Sequence, residues 1–240
     1  MATIEVLDHH VVYENPQPYN RSRHGIFPGL EKLPSGELLG MFALGEAFEA
    51  TNNTTVLTRS TDGGRTWNLE GPLHEKDGDH RHDSDYLKPT LLQNGHLIAI
   101  GFRLHRTDPD QTIANPDPNV DGIRGGDNLV SCAKDNGHTW SYPTVIPRTR
   151  AELIEQSGPV IQLRSEDNGE TWDDRTNFFE DPAGRYAPAE PRLCEMQNDR
   201  IVSLVWMMDH VKGTNLPNHI TISHDGGMTW SAPIDTDVWG

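Results

Sequence analysis

Four copies of one octet punctuate the chain: STDGGRTW at Ser60–Trp67, AKDNGHTW at Ala133–Trp140, SEDNGETW at Ser165–Trp172 and SHDGGMTW at Ser223–Trp230. Each sets an aspartate (Asp62, Asp135, Asp167 or Asp225) ahead of a glycine, then a threonine and a tryptophan. The aspartate side chain accepts from nearby backbone N–H groups, as turn aspartates do. The glycine supplies the positive φ that closes a tight corner, and the tryptophan is a large apolar body to pack between neighbouring elements. A group repeated four times serves structure rather than one reaction centre. These aspartates are therefore expected to be fasteners.

A short apolar strand leads into every octet: TTVLTR, NLVSCA, VIQLR and HITIS. Upstream of three of them lies a second repeated form, in Pro28–Leu44, Lys88–Leu104 and Glu190–Met207, each reading strand, tight turn, strand. Such spacing predicts hairpins. The unit is then strand A, hairpin, strand B, long loop, strand C, octet, strand D, and four antiparallel strands per repeat predict blades of a β-propeller. The expected units run over about 20–75, 76–148, 149–180 and 181–240. The third is short, because octet aspartates are spaced 73, 32 and 58 residues apart. There GPVIQL reads as a strand A running directly into an octet, as though intervening strands were lost or fused. TIEVLDHHVVYE, near the start, reads as a further strand that belongs to a closing blade. Exposed strand edges in such an incomplete propeller predict self-association.

Charge and composition exclude several function classes. Thirty-six acidic against twenty basic residues give a net charge of −16, which opposes nucleic-acid binding. No apolar run reaches the length of a membrane span, and the first ten residues lack a signal-peptide pattern, so a cytoplasmic location is expected. Cys132 and Cys194 sit in different repeats and form no disulfide framework.

The octets match the Asp-box pattern S/A-x-D-x-G-x-T-W, and the chain resembles the sialidase (neuraminidase) superfamily, whose domains are six-bladed propellers. By that resemblance the chain corresponds to about the first two-thirds of such a domain. It implies a glycoside hydrolase, in which three arginines clamp the substrate carboxylate and a tyrosine assisted by a glutamate is the nucleophile. In the stretch GIFPGL, Ile26 stands where the first arginine belongs, and in AEPRLCEMQNDRIVSLVWMMDH the second is replaced by Trp206. Glu190 fits the glutamate. The third arginine and the tyrosine belong to later blades. These departures point to a glycan other than sialic acid.

Propeller geometry puts the D–A connections and B–C loops at the end opposite the octets, where ligands bind. That mouth collects a candidate catalytic set of Glu190, Asp85, Tyr86 and Glu46, with Glu190 as general base or tyrosine activator and Asp85 or Glu46 as acid. Candidate carbohydrate-binding residues are Arg23, His24, Lys88, Arg103, His105, Glu155, Arg185, Arg192 and His210. Carboxylates, imidazoles and cations together suit acid–base work on a glycan. Two other classes remain open: a polysaccharide lyase in which Tyr86, His24 or His105 abstracts a proton, and a non-catalytic glycan-binding or structural propeller. No cofactor is expected. Asp117, Asn119 and Asp121 spell the start of a calcium loop, but Asn128 stands where its bidentate glutamate would be. Asp79–Asp85 (DHRHDSD) carries ligand-type residues without a zinc spacing, and reads as a mixed-charge rim.

Overall fold

A computed structural model describes residues 5–48, 50–114, 125–148, 160–179, 185–198, 200–209 and 212–239. The chain divides into two compact units, Met1–Pro147 and Arg148–Gly240. Among the described residues every regular element is a β-strand, apart from one 3₁₀ turn at Gly78–His80. Among the described residues no helix is long and apolar enough to cross a membrane.

The first unit holds two four-stranded antiparallel sheets, each a meander in sequence order. Strands β1 (His24–Lys32), β2 (Leu38–Gly45), β3 (Thr54–Ser60) and β4 (Asn68–Pro72) make one. Strands β5 (Ser84–Leu91), β6 (Leu97–Leu104), β7 (Gly126–Ala133) and β8 (Thr144–Val145) make the other. Both predicted hairpins are present, with Gly36 and Gly95 at positive φ in their turns. In each sheet the hairpin turn and the octet corner lie at one end, and the B–C loop and D–A segment at the other.

Leu33, Leu39, Met41, Leu57, Leu87, Leu97, Ala99 and Leu129 form the core between these sheets, with Trp140 packed against it. Gly137, in the second octet, has φ +76, and a Cβ there would lie 2.9 Å from Leu39 and 3.1 Å from Leu97. Only glycine fits. Arg59 of β3 reaches the same corner and donates to the carbonyls of Asn136 (3.1 Å) and Gly137 (3.3 Å). The octet thus ties its own sheet to the preceding one.

In the second unit, β9 (Val160–Arg164) and β10 (Asp173–Phe179) form a two-stranded sheet, and β11 (Tyr186–Glu195), β12 (Ile201–Asp209), β13 (Thr214–Ser223) and β14 (Ile234–Trp239) a four-stranded one. Phe178, Phe179, Val205 and Met207 form its core. The sequence reading of GPVIQL as strand A is corrected here: β9 pairs with β10 across the third octet, the place of a strand C. An octet corner can only join the strand before it to the strand after it. Residues 5–12 join no sheet here, and Val6, Leu7, Val11 and Val12 are exposed. Tyr13 just beyond them packs on Phe42 at 5.7 Å between ring centroids.

Candidate functional site

All four octet aspartates are occupied within their own corners. The Thr66, Thr139 and Thr229 hydroxyls each donate to their aspartate at 2.6 Å, and Thr171 donates to Asp167. Backbone N–H groups supply further bonds, for example Thr66 to Asp62 at 3.0 Å. The threonine contacts hold all four carboxyls below the ordinary carboxylate range. Such groups are ionised at neutral pH and internally satisfied, as fasteners are.

The opposite end of the first unit carries two features. The first is a cleft of about 370 Å³ lined by Arg23, Glu46, Asn52, His74, Glu75 and Lys76 over an apolar floor of Leu44 and Val56. It brings together Arg23 and Glu46 as the sequence reading grouped them. The Glu46 backbone N–H donates to Asn52 (3.1 Å). His24 lies beside it in sequence and bonds Ser22 at 2.8 Å.

The second feature is a knot of imidazoles and carboxylates around Asp83. Its Oδ2 lies 2.9 Å from His80 Nδ1, 3.2 Å from His105 Nδ1 and 3.5 Å from Arg103 Nε. Its Oδ1 accepts the Arg106 backbone N–H at 2.8 Å. Asp127 Oδ2 lies 2.5 Å from Arg103 Nη2 and 3.2 Å from His105 Nε2. Burial would raise the Asp127 carboxyl, but Arg103 and His105 outweigh it and hold the group below its usual range. Register brings these residues together, since Arg103 pairs with Asp85 across β5–β6 and with Asp127 across β6–β7. Asp127 escaped the sequence reading, and His80, within the DHRHDSD run read as a mixed-charge rim, was not grouped with His105 because they share no motif.

Asp85 and Tyr86 are corrected. Asp85 is 1% exposed. Its carboxylate accepts the Thr55 N–H (2.8 Å) and lies 3.3 Å from Lys76 Nζ and 3.4 Å from His74 Nε2. Burial alone would raise its pKa, but His74, Lys76 and Thr55 together bring it down to about 2. An acid that must donate near neutrality needs the reverse. Tyr86, 5% exposed, stacks on Phe102 and meets Phe27 edge-on, and its hydroxyl accepts from Asn53 (3.2 Å). Enclosure removes it from substrate and weakens the lyase reading. Lys88 places Nζ 5.9 Å from the Phe27 ring.

In the second unit, Glu190 is exposed at a β-bulge between Ala189 and Arg192, with φ 47. Phe27, before Pro28, holds the matching bulge of β1 with φ 52, so this strained residue before a proline is a device shared by two sheets. Arg192 Nη2 lies 3.5 Å from Glu190 Oε2. A further cleft of about 430 Å³ is lined by Arg185, Tyr186, Asp209, Lys212, His219 and Asp235. The Arg185 guanidinium stacks over the Tyr186 ring at 4.8 Å. Glu155, His210 and the calcium-loop residues Asp117, Asn119 and Asp121 lie outside the described residues.

Residues 221–232 match the BNR/Asp-box repeat. Among solved structures, the chain superposes on the NanB sialidase of Streptococcus pneumoniae with a TM-score of 0.65 at 12% identity, covering 95% of this chain and 54% of that one. The fold is sialidase-like. A protein of unknown function from Dyadobacter fermentans gives a TM-score of 0.67 at 18% identity, covering 94% of this chain and 71% of that one. An α-L-arabinanase of Penicillium chrysogenum, solved with arabinobiose, gives 0.58 at 15% identity, with 89% and 67% covered. A search of curated proteins by sequence finds no match. The chain thus spans about half the length of the NanB structure, and about two-thirds of the arabinanase.

Proposed function

We propose that the chain is the sugar-handling part of a glycoside hydrolase built as a six-bladed propeller, of which these sheets are blades, and that its substrate is a neutral glycan. The observation that carries this reading is the rim of the first unit, where His80, His105 and Asp127 stand partly open to solvent around Arg103. Imidazoles and an ionised carboxylate side by side suit hydrogen bonding to sugar hydroxyls. Neutrality of the substrate is supported by Ile26, which packs against Ala43, Tyr86 and Leu104 where the family would place its carboxylate-clamping arginine. Arg103 is already committed to Asp127 and Asp83. Within the second unit, Glu190, exposed on its bulge, is the carboxylate proposed as general base.

The test is a panel of chromogenic glycosides, including α-L-arabinofuranoside and α-sialoside, with product analysis and equilibrium binding of the matching oligosaccharides. Turnover of a neutral glycoside, reduced at least about a hundredfold by Glu190→Gln, supports the proposal. Turnover of the sialoside alone overturns the neutral-substrate reading. Binding without product moves the chain to the glycan-binding class, and an unsaturated product moves it to the lyases.

A further inference from the structure

The knot around Asp83 turns two imidazole nitrogens onto one carboxylate oxygen. Asp83 is 2% exposed, and its Oδ1 is fixed by the Arg106 N–H at 2.8 Å, so Oδ2 is held facing the two rings. His80 Nδ1 lies 2.9 Å from that oxygen and His105 Nδ1 3.2 Å. On its other side, His105 Nε2 lies 3.2 Å from Asp127 Oδ2. Both carboxylates only accept, so a His105 that donates its Nε2 proton to Asp127 turns its Nδ1 lone pair towards Asp83, where a cation can bridge nitrogen and oxygen.

The geometry points to a binding site for one divalent transition metal ion, held by His80 Nδ1, His105 Nδ1 and Asp83 Oδ2. These three ligand atoms lie within 4.8 Å of one another, close enough for small movements to bring them to one ion at bonding distance. Asp127 acts as the outer carboxylate that receives the other ring N–H of a ligating histidine and fixes its tautomer. Arg103 orients Asp127 through its 2.5 Å contact. Two cations oppose the ion: Arg103 Nε, 3.5 Å from Asp83 Oδ2 and offset by Asp127, and Lys76, whose Nζ lies 2.5 Å from the Asp83 carbonyl oxygen and is offset by Asp85. Two imidazoles and a carboxylate select zinc and its transition-metal neighbours over calcium or magnesium, which take oxygen ligands. Both rings are about half exposed (43% and 45%), so further coordination positions open to solvent at the rim. The DHRHDSD run showed no zinc spacing in the sequence because its partner ligand, His105, comes from the end of β6.

The competing occupant is a second proton on His105, and metal titration separates the two. Chelator-treated full-length protein is titrated with Zn²⁺ by calorimetry, and with Co²⁺ by visible absorbance as a probe of nitrogen ligation. One saturable equivalent is expected, with affinity falling at least tenfold in His80→Ala and in His105→Ala, and about tenfold in Asp127→Asn. A His9→Ala/His10→Ala protein, altered in the exposed N-terminal pair, is expected to bind as the parent does. Asp83→Asn is avoided as the main test because so buried a group supports folding; the two rim histidines carry it. Failure to bind one equivalent, or unchanged binding in both single histidine variants, overturns the inference. The measurement needs no glycan, so a chain that binds zinc but turns over no sugar sustains the metal site while sinking the hydrolase reading.

Discussion

Replacing Asp85 by asparagine distinguishes a bracing carboxylate from a catalytic one. Asp85 faces Lys76 Nζ at 3.3 Å, and both side chains are nearly enclosed. At an effective dielectric near 20 that contact is worth about 5 kcal/mol of attraction. Part is offset, because asparagine no longer bears the cost of burying a charge. Experience with buried pairs broken on one side puts the net loss at about 3–5 kcal/mol. Asparagine can still accept the Thr55 N–H that Asp85 accepts at 2.8 Å, so the lower end, about 3 kcal/mol, is expected. With a urea slope of roughly 2 kcal/mol/M, the midpoint of the first unit falls by about 1.5 M. Urea titration followed by circular dichroism and tryptophan fluorescence reads this directly. Were Asp85 instead a proton donor to substrate, the variant would keep its midpoint and lose turnover. A midpoint within about 0.2 M of the parent would refute the reasoning.

The same carboxylate makes a pH prediction: its folded pKa is depressed from 3.8 to about 2, so its contribution of about 2 kcal/mol is present above pH 4 and lost as pH falls toward 2. Parent and Asp85→Asn stabilities should therefore converge in acid, which urea titrations at stepped pH will check. Arg59→Met removes donors to the Asn136 and Gly137 carbonyls and should cost about 2–3 kcal/mol. Faster amide exchange concentrated at residues 134–140 would locate that loss at the octet. Gly101→Ala drives a Cβ to 1.9 Å from the Tyr86 carbonyl oxygen and 2.7 Å from Leu87 Cα, backbone that cannot rotate away. It should cost at least about 3 kcal/mol in urea titration, against less than about 0.5 for Gly125→Ala, which meets nothing within 4 Å.

Local order was legible in the sequence wherever one short segment contains its own partners. Asp62, Gly64 and Thr66 complete a corner within eight residues, so the motif states both its shape and its role. Hairpins were legible for the same reason. Legibility fails where sheet pairing chooses the neighbours. Arg103 meets Asp127 and His105 meets His80 only after β5, β6 and β7 assume their register. Alternation also misleads at the start of β5, an edge strand of its sheet: Ser84, Asp85, Tyr86 and Leu87 are all buried, so polarity did not mark the residues open to solvent. The sequence reading set its candidates at the end of the sheets opposite the octets, and chose Asp85 where Asp83, two residues away, is the one that faces His80 and His105.

The central claim is that octet corners fasten the sheets while the opposite rim receives sugar. Hydrogen–deuterium exchange of the intact chain, with and without a saturating arabino-oligosaccharide or another glycan that binds, compares the two ends within one sample. Slowed exchange confined to the rim segments 73–86, 103–111 and 126–128 is the predicted result. Protection centred on the corners at 60–67 and 133–140, with the rim unchanged, would contradict it.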